Sequence, residues 1–292
     1  MIKYDNKNWF SFLIRHGGKH VEGMWWSMLI MTILTAILIF LEENYHWMDM
    51  DFPDTFFKVI GIVLGLLLVF RTNTAYDRWW EGRKQLGALV NTTRNLAIKV
   101  NTYVPEKDYP EKELILDLIV ALTYTIKEHL RKGEFEKIIE EIPREVLSKY
   151  NRMEHKPNYI LAEIARHIQQ LYKQDIIDGE QLIVLEKEAN TLINILGACE
   201  RIRNTPIPMA YALHLKRIVF VYSLALPFAF VKTMHWWSIP LVLIMFYTMV
   251  GIELIGEEIE DPFGLDENDL PVDELSDKIK ANINEIKSHA KS

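Results

Sequence analysis

Cysteine is nearly absent: one residue in 292, Cys199, carries a thiol. That excludes an intramolecular disulfide and disfavours a cysteine-based metal cluster. An excess of basic charge is missing too. The formal net charge is -7, which argues against nucleic acid as a partner. No apolar/polar alternation runs long enough for a strand. No repeat at a fixed period and no low-complexity tract is found. A Gly-rich phosphate loop, an HExxH pattern and a Gly-x-Ser-x-Gly elbow are all lacking, so no enzyme chemistry and no cofactor is implied. The first apolar run, Met24 to Leu41, has no small-x-small cleavage pattern after it and is too long for a signal peptide, so it reads as a retained span.

What the chain does have is apolar runs near both ends and a charged, helically patterned middle, which together give a mean hydropathy of zero. Met24 to Leu41 holds 18 residues without a charge, close to the ~20 that cross the hydrocarbon of a bilayer. Lys3, Lys7, Arg15 and Lys19 precede it. The following connection carries Glu42, Glu43, Asp49, Asp51 and Asp54 with no Lys or Arg, so the N-terminus is expected in the cytoplasm and this loop outside. A second run, Phe56 to Phe70, returns at Arg71. A third, Ile218 to Val231, contains Pro227, which is expected to kink it. The fourth is Ser238 to Ile252. Trp25, Trp26, Trp47, Trp79, Trp80, Trp236 and Trp237 flank these runs as an interfacial aromatic belt.

The stretch Lys58 to Trp80, KVIGIVLGLLLVFRTNTAYDRWW, organises the rest. Ile62, Leu66 and Phe70 stand four apart on one helical stripe. Gly61 and Gly65 form a G-x-x-x-G pair that admits a close backbone. Around a symmetry axis such a helix would line a narrow apolar throat; spacing alone favours a helix facing lipid or neighbouring helices. Arg71, Arg78 and the two Trp residues read as interfacial anchors. The helical pattern continues to about Asn101, ended by Pro105 and Pro110. Amphipathic stretches follow at Glu111–Lys132, Phe135–Tyr150, Asn158–Lys173 and Asp178–Arg203, with a last short one from Val272 to about Ile286. His16, His20, His46 and His235 lack metal-ligand spacing, and Cys199 reads as a packed small residue.

Three runs carry a family resemblance. Phe70-Arg71-Thr72-Asn73-Thr74-Ala75-Tyr76-Asp77-Arg78-Trp79-Trp80-Glu81-Gly82-Arg83-Lys84 resembles the segment after the second span of bacterial bestrophin homologues. Cys199-Glu200-Arg201-Ile202-Arg203-Asn204-Thr205-Pro206-Ile207-Pro208 is similar to a second signature. Gly256-Glu257-Glu258-Ile259-Glu260-Asp261-Pro262-Phe263-Gly264, with Asn268-Asp269-Leu270-Pro271, is similar to a third. The resemblance implies an all-α membrane protein: a homopentameric ion channel around one central pore, with four transmembrane helices per subunit and a large helical cytosolic domain. The corresponding divisions are 1–72 (first two spans), 73–204 (cytosolic helices), 205–260 (last two spans) and 261–292 (tail). Both termini are expected in the cytoplasm of a bacterium, at its inner membrane. Partners are then the chain itself, the lipid bilayer and permeant ions. Ile62, Leu66 and Phe70 fall on the family's neck. A second, cytosolic constriction falls near Glu180, where the family residue is typically apolar.

Three apolar rings about 6 Å apart offer an ion nothing in exchange for its water, and such a neck gates by dewetting. It does not choose the sign of the ion. Five copies of Glu42, Glu43, Asp49, Asp51 and Asp54 facing the axis would favour cations, so monovalent cations are expected, with chloride as the rival. An ordinary solvated loop remains the alternative for these acids. Asp266 and Asp269 match positions of a calcium-binding acidic run in the animal branch, but Asn268 breaks the run, and an acidic turn capping the tail helix is the favoured reading over a calcium site. The competing reading of the whole chain is a membrane-anchored scaffold or sensor whose helical domain binds a partner.

Overall fold

Apolar runs of this length, and a middle with apolar residues at three- and four-residue steps, leave little but helix for the backbone to adopt. The computed structural model describes residues 19–46, 54–105 and 110–289, and no strand occurs among them. In chain order the helices are α1 (Lys19–Tyr45), α2 (Asp54–Tyr103), α3 (Pro110–Arg131), a 3-10 turn (Phe135–Glu141), α4 (Arg144–Tyr150), α5 (Lys156–Lys173), α6 (Gly179–Asn204), α7 (Met209–Met234), a 3-10 turn (His235–Trp237), α8 (Ser238–Glu260) and α9 (Val272–His289). They divide between two compact units. The first contains the chain up to Trp79 and Pro206–Asp269, the second Trp80–Thr205 and Leu270–Ser292.

In the first unit, α1, α7 and α8 pack on one another. Met24, Met31, Phe57, Leu64, Leu68, Leu215, Val219, Tyr222, Leu226, Val242 and Phe246 form its main apolar core. Among the described residues, three stretches are long and apolar enough to cross a membrane: 23–45, 55–103 and 209–260. The last contains α7 and α8 with the 3-10 turn between them. Pro227 sits buried inside α7. In α2 the apolar run and the polar run after Arg71 belong to one unbroken helix of 50 residues. It stops at Tyr103, because Pro105 drives the residue before it out of the helical region.

In the second unit, α3 packs against α5, α6 and α9. The hydrophobic sides of these helices meet in Ile115, Leu118, Ile119, Leu122, Ile160, Ile164, Leu185 and Leu192, all fully buried. Asp178 caps α6 in a complete capping box: its carboxylate accepts from the Gln181 N–H at 2.7 Å, and the Gln181 side chain accepts from the Asp178 N–H at 3.1 Å. One expectation gives way here. Phe135–Tyr150 reads as a single amphipathic stretch, yet it forms a 3-10 turn and a separate short helix. Pro143 lies between them; it has no N–H to donate and holds Ile142 extended, at φ -93° and ψ 124°. Helix α9 is built into this unit. Tyr124 Oη donates to Asp277 at 2.7 Å, Arg131 to Asp273 at 2.5 Å and Lys280 to Glu141 at 2.6 Å.

Candidate functional site

The first half of α2 has two unlike sides. Leu64, Leu68, Arg71 and Ala75, spaced by four, three and four, are buried in the first unit. Ile62, Leu66 and Phe70 point the other way and are 73%, 54% and 55% exposed. The apolar stripe singled out by spacing is therefore a face left bare among the described residues, with Val59, Val63 and Val69 beside it. The two glycines differ. A Cβ on Gly61 would lie 2.8 Å from Tyr222 Oη, whereas one on Gly65 would meet nothing within 4 Å. Gly61 is what lets α7 approach, and the Tyr222 hydroxyl uses that approach to donate to the Phe57 carbonyl at 3.1 Å.

Arg71 is placed differently from expectation. An interfacial anchor would reach water, yet Arg71 is 1% exposed and its Nη2 donates to Glu260 Oε2 at 2.6 Å. The reason is Glu260, which gathers three donors at the end of α8. Its other carboxylate oxygen accepts from the Ile207 N–H at 2.8 Å, and its backbone oxygen accepts from Arg78 Nε at 3.1 Å. A Cβ on Gly256, one turn earlier, would sit 3.6 Å from the Arg71 and Thr72 side chains, so the helices are close here. Trp79 stacks on Tyr76 and donates its Nε1–H to the Asn268 carbonyl at 2.9 Å. All three sequence signatures thus meet: the Arg71 run, the Pro206–Pro208 end of the second, and the Glu260 loop.

The candidate charges divide. Glu42 is buried in the first unit, so it is not a solvated carboxylate of an outer mouth. Glu43 is exposed, 3.9 Å from His235 Nδ1. Asp49 and Asp51, and the side chain of Asp54, lie outside the described residues. The expected ring of five solvated acids thus loses Glu42: it follows Leu38 and Ile39 on the packed side of α1, and the helix repeat carries it inward. Glu180 is exposed in the first turn of α6, and Ile183, one turn on, is a bare apolar residue at 68% exposure. Asp269 is buried. Its Oδ2 accepts from the Asp266 N–H at 2.7 Å and its Oδ1 has no hydrogen-bond partner among the described residues. Burial, with Asp266, Asp261 and Glu258 nearby, pushes its carboxyl up to about 6. Asp266 and Asp269 therefore hold a turn together. Cys199 is fully buried and its thiol is pushed up to about 12 by that burial, as befits a packed residue.

Spacing along the chain holds no hint of one cluster in the second unit. His129, His155 and Glu200 bring two imidazole nitrogens and a carboxylate oxygen within 4.8 Å of one another. They lie 26 and 45 residues apart along the chain, so no local pattern betrays them. Burial lowers His129 below the ordinary imidazole value, partly offset by Glu200.

A model of the bacterial and fungal bestrophin proteins matches residues 1–285. The chain belongs to the bestrophin family. It is 43% identical over 282 residues to a voltage-dependent anion channel-forming protein of Synechocystis, covering 95% of this chain and 91% of that one. A protein of the same description from Nostoc is 39% identical over 286 residues, covering 97% and 92%. Among solved structures, a mutant of a bacterial bestrophin homologue from Klebsiella pneumoniae superposes with a TM-score of 0.84 at 26% identity, covering 89% of this chain and 97% of that one. Family membership together with the long apolar helices makes this a membrane protein.

Proposed function

We propose that the protein is an ion channel built from several copies of the chain around one axis, five by family resemblance, and that it passes small anions. The observation that carries this reading is the bare apolar stripe of Ile62, Leu66 and Phe70 on a helix whose other side is fully packed. Copies of α2 around an axis would bury that stripe in three stacked rings about 6 Å apart and make a dewetting neck. The family relationship favours a channel over an enzyme or a scaffold. Selectivity moves from the expected cations to anions on two grounds. The relatives carry anion-channel names, and the inward-turned Glu42 removes part of the negative charge on which the cation expectation rested.

In this reading α1, the apolar start of α2, α7 and α8 are the four spans, in a bacterial inner membrane with both termini in the cytoplasm. Residues 73–204 form the cytosolic domain and 261–292 its tail. The second constriction lies at the start of α6, with Ile183 as its apolar side chain and Glu180 one turn before it. Asp266 and Asp269 serve as a structural turn.

The test is ion flux into liposomes holding the purified protein, with Cl-, K+ and Na+ gradients imposed separately. Native protein should pass Cl-, and Leu66→Ala and Phe70→Ala should change the flux severalfold, because one substitution alters every copy in the ring. Cation flux with the same mutant sensitivity would keep the neck and reverse the selectivity. Silence from all three proteins, or a solubilised chain that stays monomeric rather than running near the ~170 kDa expected for five copies of 34.3 kDa, would defeat the reading.

A further inference from the structure

His129 stands in the last turn of α3, His155 is the N-cap of α5 and Glu200 lies in α6. Both Nε2 atoms are 2.8 Å from the same oxygen, Glu200 Oε1. The rings lie 4.7 Å apart, centre to centre, at 42°. All three side chains are half-buried, with 21%, 38% and 24% of their surface reached by solvent. Two imidazoles converging on one carboxylate oxygen, with an open side, is the donor set of a three-ligand metal site that keeps a fourth position for water. Bonds of about 2.0–2.2 Å to a tetrahedral ion place ligand atoms roughly 3.3 Å apart. Each nitrogen–oxygen edge therefore needs to open by about half an ångström, within reach of side-chain rotation.

We propose that His129, His155 and Glu200 bind a divalent transition-metal ion of the zinc class. Two nitrogens and one oxygen suit such borderline ions, whereas calcium and magnesium call for oxygen ligands throughout. The proton balance fixes what binding must do at His155. Its Nδ1 accepts the Asn158 N–H at 3.3 Å, so in the metal-free ring Nε2 holds the proton. Ligation through Nε2 moves that proton to Nδ1 and releases the Asn158 amide from the cap, with no net proton lost from the neutral ring. Arg203, which donates to the His129 carbonyl at 2.8 Å, sets a positive charge beside the site, and Glu200 offsets it. A bound ion would tie α3, α5 and α6 together at one point, whatever passes through the membrane part.

The test uses the full-length protein in detergent, titrated with Zn2+ by calorimetry and with Co2+ by visible absorption. Native protein should take up one ion per chain and show the d–d bands of a nitrogen/oxygen site. His155→Ser keeps a capping oxygen for α5 but no ligand nitrogen. It should weaken uptake at least tenfold and lose the bands, as should His129→Gln. If His129→Gln does not fold, His155→Ser decides alone, with its elution volume and helical content as the control. No stoichiometric uptake by the native chain, or uptake by His155→Ser equal to native, overturns the site. Because binding is read and not flux, the outcome is independent of the channel reading.

Discussion

Replacing Glu260 by Ala perturbs the point where the three signature segments meet, and its cost can be worked out from the contacts. The substitution removes the acceptor of Arg71 Nη2, which lies 2.6 Å away, and the acceptor of the Ile207 N–H at 2.8 Å. Arg71 is 1% exposed, and its Nε and Nη1 have no hydrogen-bond partner among the described residues. With Glu260 gone, the guanidinium is left buried without the carboxylate that pairs with it. Breaking one side of a buried ion pair costs about 3–5 kcal/mol, and the stranded amide adds about 1–3 kcal/mol. At roughly 2–3 °C per kcal/mol for a chain of this size, the melting temperature should fall by about 10 °C or more. The assay is thermal unfolding of the purified protein in detergent, compared at one protein concentration. The double variant Arg71→Met with Glu260→Gln is the control. It removes the buried charge and keeps an acceptor for Ile207, so it should recover at least half of the loss. A Glu260→Ala protein that melts within ~1 °C of native, or a double variant no better than the single, would refute the claim that this pair holds the segments together.

Gly61 and Gly65 should separate in the same assay. Gly61→Ala sets a methyl 2.8 Å from Tyr222 Oη and disturbs its bond to Phe57, for a loss of about 1–3 kcal/mol, while Gly65→Ala meets nothing among the described residues and should be neutral or slightly stabilising. Asp269 should make stability fall as pH rises. Its carboxyl is raised from about 3.8 to about 6, so the folded chain binds the extra proton between those values. That stabilisation is whole below ~pH 4 and lost through pH 6, about 2–3 kcal/mol in all. Subtracting the pH–stability curve of Asp269→Asn from that of the native protein should expose this slope, and two parallel curves would count against it.

Helices α1, α2, α7 and α8 were legible in the chain because an apolar run of about 14 to 18 residues flanked by Trp and Lys has few other fates. The stripe Ile62–Leu66–Phe70 was legible for the same local reason: a four-residue step repeats the direction of a helix. The amphipathic middle helices followed from their periodicity, and two of their ends from Asp178 and Pro105, whereas the break at Pro143 inside Phe135–Tyr150 was not read. Whether the stripe was bare or packed was beyond local pattern, since that depends on where α7 and α8 lie against α2. Tertiary structure decided it by burying Leu64, Leu68 and Arg71 on the opposite side. The same packing turned Glu42 inward and made Arg71 a buried partner of Glu260, 189 residues away, where its flanks had promised a surface anchor. It also brought together His129, His155 and Glu200, which share no spacing at all. Helical and apolar segments can be read from the order of residues, because those properties act over a few neighbours. Which charges meet and which faces stay open could be read only from the folded chain, because contact energies depend on distances between segments that the order of residues does not contain.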